Sequence, residues 1–384
     1  MTPQVLVIGA GPAGIACAYY LQQANIPYLV IDKAEIIAST WANLYPSLKL
    51  NTTRFFSHLP ARRFPLRYGI FPTGKQYHAY LVKYAHDFGL NIQLGVTVNL
   101  ICPENNGWRV ISSAGSAWYP CVISATGRFN APVIPHIDGM ESFTGEIIHA
   151  HDYLGHKPFI GKQVMVVGNG PSGVDIASEL GRMRQCKAVY LSQRTGVVLR
   201  PRYPYGLPKH AWVMIGEALP KPIGKRLIKH IESLKFNHLD KIGIRIPQTD
   251  ADSSAAGGTR GGELVTAVKR GWVKCVPAPI RFENDAVILA DGSRLMVDVV
   301  IMGTGYKAVV HEYIKLDTPR DKADWLLREG QDPQVIPTGK RQVLGQLGLY
   351  TVGTFYQGKG AMYNFNVEAK QAVDEILERL KNLS

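Results

Sequence analysis

The chain has 384 residues, more than one hydrophobic core requires and comfortable for two domains. With 46% hydrophobic and 19% charged residues the composition is globular, which excludes a disordered chain. Much of the formal charge of +13 lies between Arg194 and Arg245, where Glu217, Glu232 and Asp240 are the acids; no nucleic-acid motif accompanies it, so it reads as attraction for a polyanionic nucleotide rather than DNA or RNA.

Cys17, Cys102, Cys121, Cys186 and Cys275 show no C-x-x-C spacing, which argues against a zinc cluster or dithiol pair and suits small buried hydrophobes in a reducing cytoplasm. The apolar run from Val5 to Leu21 lacks a basic flank and is broken by four turn formers, so it is not a signal peptide. No other stretch is long and apolar enough to span a bilayer. A soluble, cytoplasmic protein without a metal or an integral membrane segment is expected.

In chain order, Val5 to Gly9 is an apolar run of the kind found in buried parallel strands. Gly9-Ala-Gly11-Pro12-Ala13-Gly14 follows at once. Gly9 permits a tight turn, Gly11 lets the backbone approach a pyrophosphate, and Gly14 lets a helix pack against its strand. Pro12 suits the first helical turn. The helix is predicted to about Gln23, and a second strand, Tyr28 to Ile31, ends at Asp32, placed to accept from adenosine ribose hydroxyls, with Lys33 beside it.

Ala38 to Thr73 is an irregular passage too long and too rich in polar and aromatic residues to be a connector. Within it Asn51 is either a turn former or an amide that holds a polar adduct. A helix is predicted over 77–88, then strands over 92–98, 108–112 and 117–125, the last two joined as a hairpin at Ser113-Ala-Gly115. Ala125-Thr126-Gly127 closes the unit beside a cofactor, and Pro132, Pro135 and Gly139 mark a linker.

A second strand and turn begin at Lys162, with Gly168-Asn-Gly170-Pro171-Ser172-Gly173, a helix to about Leu180 and a strand over 188–191. Here the strand end reads Ser192-Gln-Arg194. No carboxylate repels a 2′-phosphate, and an arginine can fork onto one. FAD is therefore expected at the first turn and NADPH at the second, which makes the chain an electron-transfer enzyme.

The basic, aromatic stretch over 201–239 contains a helix with Ile223, Leu227, Ile231 and Leu234 on one face, either covering its own domain or lying on a membrane surface. Asp252 to Gly262 reads as a mobile lid. Strands follow over 273–276, 286–289 and 297–302, the last ending at Gly303-Thr-Gly305. Gly348 to Gly353 and a helix over 364–380 return to the first domain. The fold class is α/β, with two Rossmann-like dinucleotide-binding domains of the glutathione-reductase type, the second inserted in the first. FAD binding is assigned to 1–158 and 307–384, and NADPH binding to 159–306.

Phe143-x-Gly145-x-x-x-His149-x-x-x-Tyr153, just before the second glycine turn, resembles the identifying pattern of the flavin-containing monooxygenases, and the likeness covers nearly the whole chain. That resemblance implies O2 activation as a C4a-hydroperoxyflavin and oxygenation of a small organic substrate, at N or S in the first place. It makes Asn51 the active-site amide, Trp41 and Thr52 flavin neighbours, and His149 an orderer of the linker. Leu199-Arg-Pro-Arg202, Arg245-Ile-Pro and Gly303-Thr-Gly-Tyr-Lys307 look most like the plant YUCCA enzymes, which implies oxidative decarboxylation of a 2-oxo acid such as indole-3-pyruvate as the alternative. A third reading is a reductase passing electrons to a protein partner.

Overall fold

The computed structural model describes residues 2–127, 129, 131–247, 259–307, 313–315, 341–343, 346–353 and 360–383. The proposed lid falls largely outside them, at 252–258. The chain divides into two compact units, one of residues 1–44, 52–131 and 306–384, the other of residues 45–51 and 132–305.

The first unit is built on a parallel five-stranded sheet in the spatial order Leu349–Thr351, Cys121–Ser124, Val5–Ile8, Tyr28–Ile31, Ile92–Gln93. Val5–Ile8 is buried throughout, as a strand paired on both edges and covered on both faces must be. Helix Pro12–Gln23 packs against the C-terminal helix Ala361–Lys381, whose buried face carries Phe365, Ala369, Ala372, Val373 and Ile376 at helical spacing. Helix Gly74–Asp87 starts three residues before the expected point because Thr73 and Gln76 close a capping box there. The strand expected over 92–98 is interrupted at Gly95, which has φ of 71°, and the one over 117–125 breaks at Pro120 into Gly115–Tyr119 and Cys121–Ser124. The first of each pair of pieces serves a different sheet from the second.

The second unit repeats the plan, with parallel strands in the order Lys274–Pro277, Ala188–Gln193, Gln163–Val167, Val299–Met302, Glu146–His149. Its last edge strand lies inside the stretch that the sequence assigned to the first domain. Glu146–His149 pairs in register with Val299–Met302, so the division falls at 131/132 rather than at 158/159.

Each residue of the Phe143 to Tyr153 pattern has a packing reason. The Phe143 ring meets Phe282 edge-on at 5.2 Å, and a Cβ on Gly145 would lie 2.6 Å from the Asp298 carbonyl oxygen. Tyr153 is fully buried, stacked on Phe159 at 5.6 Å and edge-on to Tyr45 at 5.7 Å. Through Tyr45 the pattern draws residues 45–51 into this unit, so Asn51 belongs with the second turn.

Two helices, Lys209–Ala218 and Lys221–Ser233, form a hairpin whose crossing is glycine on glycine: a Cβ on Gly224 would lie 1.9 Å from the Gly216 carbonyl oxygen. Ile231 is buried, whereas Ile223, expected on the same face, is 56% exposed.

Candidate functional site

The two glycine turns have the same construction. Gly9 and Gly168 take φ of 108° and 103°, and a side chain at either would collide with backbone from the neighbouring strand end, Ala125 oxygen at 2.7 Å or Gly303 oxygen at 2.5 Å. A Cβ on Gly14 would lie 1.8 Å from the Gly9 oxygen, and one on Gly173 would lie 1.9 Å from the Gly168 oxygen. The middle glycines differ: at Gly11 and Gly170 an added Cβ meets no atom of the described residues within 4 Å. Neither following helix has a side-chain cap, and Pro12 and Pro171 occupy their first turns. Uncapped amides at the positive end of a helix beside an open concavity fit a pyrophosphate.

In the first unit Asp32 spans the turn. Its Oδ2 accepts from the Ala10 amide at 2.7 Å and its Oδ1 from the Ala34 amide at 2.9 Å. A carboxylate has about four acceptor directions, so two remain for ribose hydroxyls. Gly353 has φ of 93°, and a Cβ there would touch the Ala13 Cβ at 3.0 Å. Ala125 is buried, Gly127 has φ of 70°, and the Thr126 hydroxyl is within 3.2 Å of the Tyr313 hydroxyl. Lys33 is exposed beside Asp32. Trp41 lies edge-on to Tyr77 at 4.5 Å, and the Thr52 hydroxyl bonds Ser57 at 2.5 Å.

Sequence reasoning missed Glu368 here. It is 2% exposed, accepts the Gly353 amide at 2.6 Å and faces the buried Arg341 at 3.4 Å. Its position at the center of the apolar face of the C-terminal helix, between Phe365 and Ala372, is the signal that would have found it.

In the second unit the side chains at the strand end divide. Ser192 is buried and donates to the Pro277 carbonyl at 3.1 Å, so its hydroxyl is spent inside the fold. Arg194 is exposed, and the Arg245 Nη1 donates to its carbonyl at 2.5 Å. Buried Gln193 arranges this: its Oε1 accepts the Arg245 amide at 2.9 Å, and its Nε2 donates to the Gly243 carbonyl at 3.2 Å. Two exposed arginines thus stand together at the end of Ala188–Gln193. The pairing of Arg245 with Arg194 was not legible, because fifty residues separate them.

His149 accepts the His151 amide at Nδ1, 3.0 Å, which leaves Nε2 to donate to the Gly305 carbonyl at 3.0 Å. Burial holds its pKa below the usual imidazole value. A neutral ring of fixed tautomer ties the linker to the Gly303–Gly305 turn, where Gly305 has φ of 89°.

Asn51 is exposed, and its Oδ1 accepts from the Arg202 Nη2 at 3.5 Å. Tyr45 fixes the segment by donating to the Asp175 Oδ2 at 3.2 Å, and Ser47 donates to Glu179. Burial, partly offset by Arg202, pushes the Asp175 carboxyl up from 3.8 to about 6. The folded chain then holds more protons than the unfolded one between those values, so this contribution to stability is present at low pH and lost as pH rises through about 6. Thermal melts of the wild type and Asp175→Asn should differ increasingly against the wild type from pH 4 to 6 and by a constant amount above, on the order of 3 kcal/mol in total; parallel curves across that range would contradict the assignment.

Residues 6–204 match the family model described as pyridine nucleotide-disulphide oxidoreductase. The probable indole-3-pyruvate monooxygenase YUCCA3 of Arabidopsis thaliana is 30% identical, over 99% of this chain and 87% of its own length. The indole-3-pyruvate monooxygenase YUCCA1 of Oryza sativa subsp. japonica is also 30% identical, over 93% of this chain and 87% of its own. Among solved structures, a flavin-containing monooxygenase from Stenotrophomonas maltophilia superimposes with a TM-score of 0.70 at 21% identity, covering 99% of both chains. Cyclohexanone monooxygenase from Rhodococcus sp. Phi1, bound to NADP+, gives 0.72 at 18% identity over 99% of this chain and 86% of that one. Paired glycine turns, a near-full-length match to the plant enzymes and a shared fold lead to one conclusion: the chain belongs to the pyridine nucleotide-disulphide oxidoreductase family and is a class B flavoprotein monooxygenase, an oxidoreductase with FAD and NADPH as its cofactors.

Proposed function

We propose that the first turn holds FAD, the second holds NADPH, and oxygen from O2 is delivered to a small 2-oxo acid. The contrast between the strand ends carries the nucleotide assignment. Asp32 would repel a 2′-phosphate, while Arg194 and Arg245 offer two forks to one. FAD, when bound, supplies hydride acceptance and O2 activation. The protein's own part is to orient and to keep water out. Asn51 contributes an amide whose Oδ1 faces Arg202, leaving its Nδ2 donor for a ligand.

The 2-oxo acid is supported by the plant relatives, named for indole-3-pyruvate and aligned over nearly the whole chain. The balanced reaction consumes the 2-oxo acid, O2, NADPH and a proton, and yields the acid one carbon shorter, CO2, water and NADP+. Oxygen transfer to nitrogen or sulfur is the second reading, favoured by the likeness of the Phe143 to Tyr153 pattern to that of the flavin-containing monooxygenases. Mass spectrometry of products from 2-oxo acids, amines, thioethers and ketones separates them. Loss of CO2 from the acids supports the first and an N- or S-oxide the second; failure to oxidise NADPH with any of them overturns both. Asn51→Leu should retain flavin reduction but release more hydrogen peroxide, and unchanged coupling would remove its role.

The helical hairpin exposes Met214, Ile215, Leu219 and Ile223 among Lys221, Lys225, Arg226 and Lys229, a composition suited to an anionic lipid surface. No helix among the described residues is long and apolar enough to cross a membrane. Co-sedimentation with phosphatidylserine vesicles, lost in Ile223→Asp, is expected; equal recovery with neutral vesicles would count against it. The five free thiols support a cytoplasmic location, to be checked by fractionation.

A further inference from the structure

Leu199–Arg200 pairs in parallel with Thr259–Arg260, which makes Arg200 and Arg260 direct partners across the two strands. The Arg260 Nη1 donates to the Pro201 carbonyl at 3.0 Å, bringing its guanidinium to the same segment. Arg202 follows, with its Nη2 on the Asn51 Oδ1 at 3.5 Å. All four residues lie in the second unit. Burial first, then the charges of Arg202 and Arg200, pull the Arg260 pKa down to about 10.

Such a cluster is unfavourable on its own. Like charges repel, and a buried donor without an acceptor costs about 1–3 kcal/mol. The Nε and Nη1 atoms of Arg200 are buried and have no hydrogen-bond partner among the described residues. Asp175 offsets one charge through Arg202, and Glu263, whose charge Asp175 also feels, is exposed to solvent. What remains is a cationic excess with forked donors, the geometry that a planar carboxylate satisfies with two parallel bonds. The nucleotide has its own partners for its phosphates, the open face of Gly170 and the Arg194–Arg245 pair.

We propose that Arg200, Arg202 and Arg260, with the Asn51 amide beside them, form the site that takes the carboxylate of the substrate. This names the recognition element of the 2-oxo acid reading above and rests on it for the substrate class. Its shared chemistry is an anionic oxygen group, and a nucleotide phosphate is the competing source.

Binding to the holoenzyme with NADP+ present, followed by flavin absorbance and by equilibrium dialysis, tests it. Arg200→Met and Arg260→Met should each weaken phenylpyruvate and phenylacetate about 30- to 100-fold and phenylacetone less than about threefold. Arg200→Met should also raise the melting temperature of the ligand-free protein, because it removes a guanidinium whose buried Nε and Nη1 find no acceptor among the described residues. An arginine with only a structural role would lower it. Equal weakening of acid and ketone overturns the proposal, and so does loss of NADP+ affinity in place of acid affinity, which would give the cluster to a phosphate. Should Arg260→Met fail to fold, Arg200→Met decides the question. The two readings also fail separately. Wild-type enzyme that converts no 2-oxo acid yet binds phenylacetate through these arginines keeps the site and loses the reaction. Turnover of 2-oxo acids with an unchanged KM in both variants does the reverse.

Discussion

Gly11→Val should leave the melting temperature of the flavin-free protein unchanged and yield a protein that retains no FAD, whereas Gly14→Val should lower that temperature steeply. The two glycines stand three residues apart in one turn, yet they meet different surroundings. A Cβ on Gly14 would sit 1.8 Å from a backbone oxygen, which cannot move without parting helix from strand. Overpacking of this kind costs roughly 3 kcal/mol or more. A Cβ on Gly11 meets no atom of the described residues within 4 Å, and its φ of −80° is open to any residue. Among the described residues nothing objects to a side chain there, so a bound ligand is what it should exclude. Loss of the close approach of the backbone to the pyrophosphate should weaken FAD by about a hundredfold or more, some 3 kcal/mol. Gly170→Val should do the same to NADPH while FAD stays bound, since that glycine is equally open. Flavin content by absorbance, apo-protein melts and NADPH titration distinguish the cases. A Gly11→Val protein that emerges yellow would refute the placement of the first cofactor.

Arg194→Ala and Arg245→Ala should each raise the Kd for NADPH about 10- to 100-fold and leave that for NADH within about threefold. Both residues are exposed and have no carboxylate partner among the described residues that would hold them away from a phosphate, and the Arg245 Nη1 is anchored on the Arg194 carbonyl at 2.5 Å. Gln193→Leu is the informative companion. It leaves both arginines in place but removes the two hydrogen bonds that fix residues 243–245 against the strand end. It should therefore reproduce much of the Arg245→Ala effect, without any charge being lost. Groups that share one phosphate should also couple, so the double arginine variant should lose less than the sum of the single ones. Equal weakening of NADPH and NADH by either arginine variant would mean that the pair serves the pyrophosphate or the fold instead.

The two variant series bear on different parts of the molecule and on what could be foreseen of each. Val5–Ile8 and Gln163–Val167, their glycines and the helices after them were legible in the sequence. The steric reason for Gly14 and Gly173 lies five residues back in the same turn, whereas Gly9 and Gly168 are also held small by strand ends more than a hundred residues away, Ala125 and Gly303. The α/β class and the paired dinucleotide folds follow from the same short-range pattern, seen twice. The acid at one strand end and the arginine at the other are equally local, and the proposed division of the two nucleotides between the turns rests on them.

Tertiary structure alone decided which distant residues complete those turns. Arg245 reaches Arg194 through Gln193, Glu368 reaches Gly353 from the last helix, and Arg260 joins Arg200 across a strand pair. Residues 45–51 fall with the second unit because Tyr45 packs on Tyr153, a contact across more than a hundred residues. Periodicity and turn chemistry speak for neighbours along the chain; pairings at such separations are set by how the layers pack, and no spacing in the sequence encodes them.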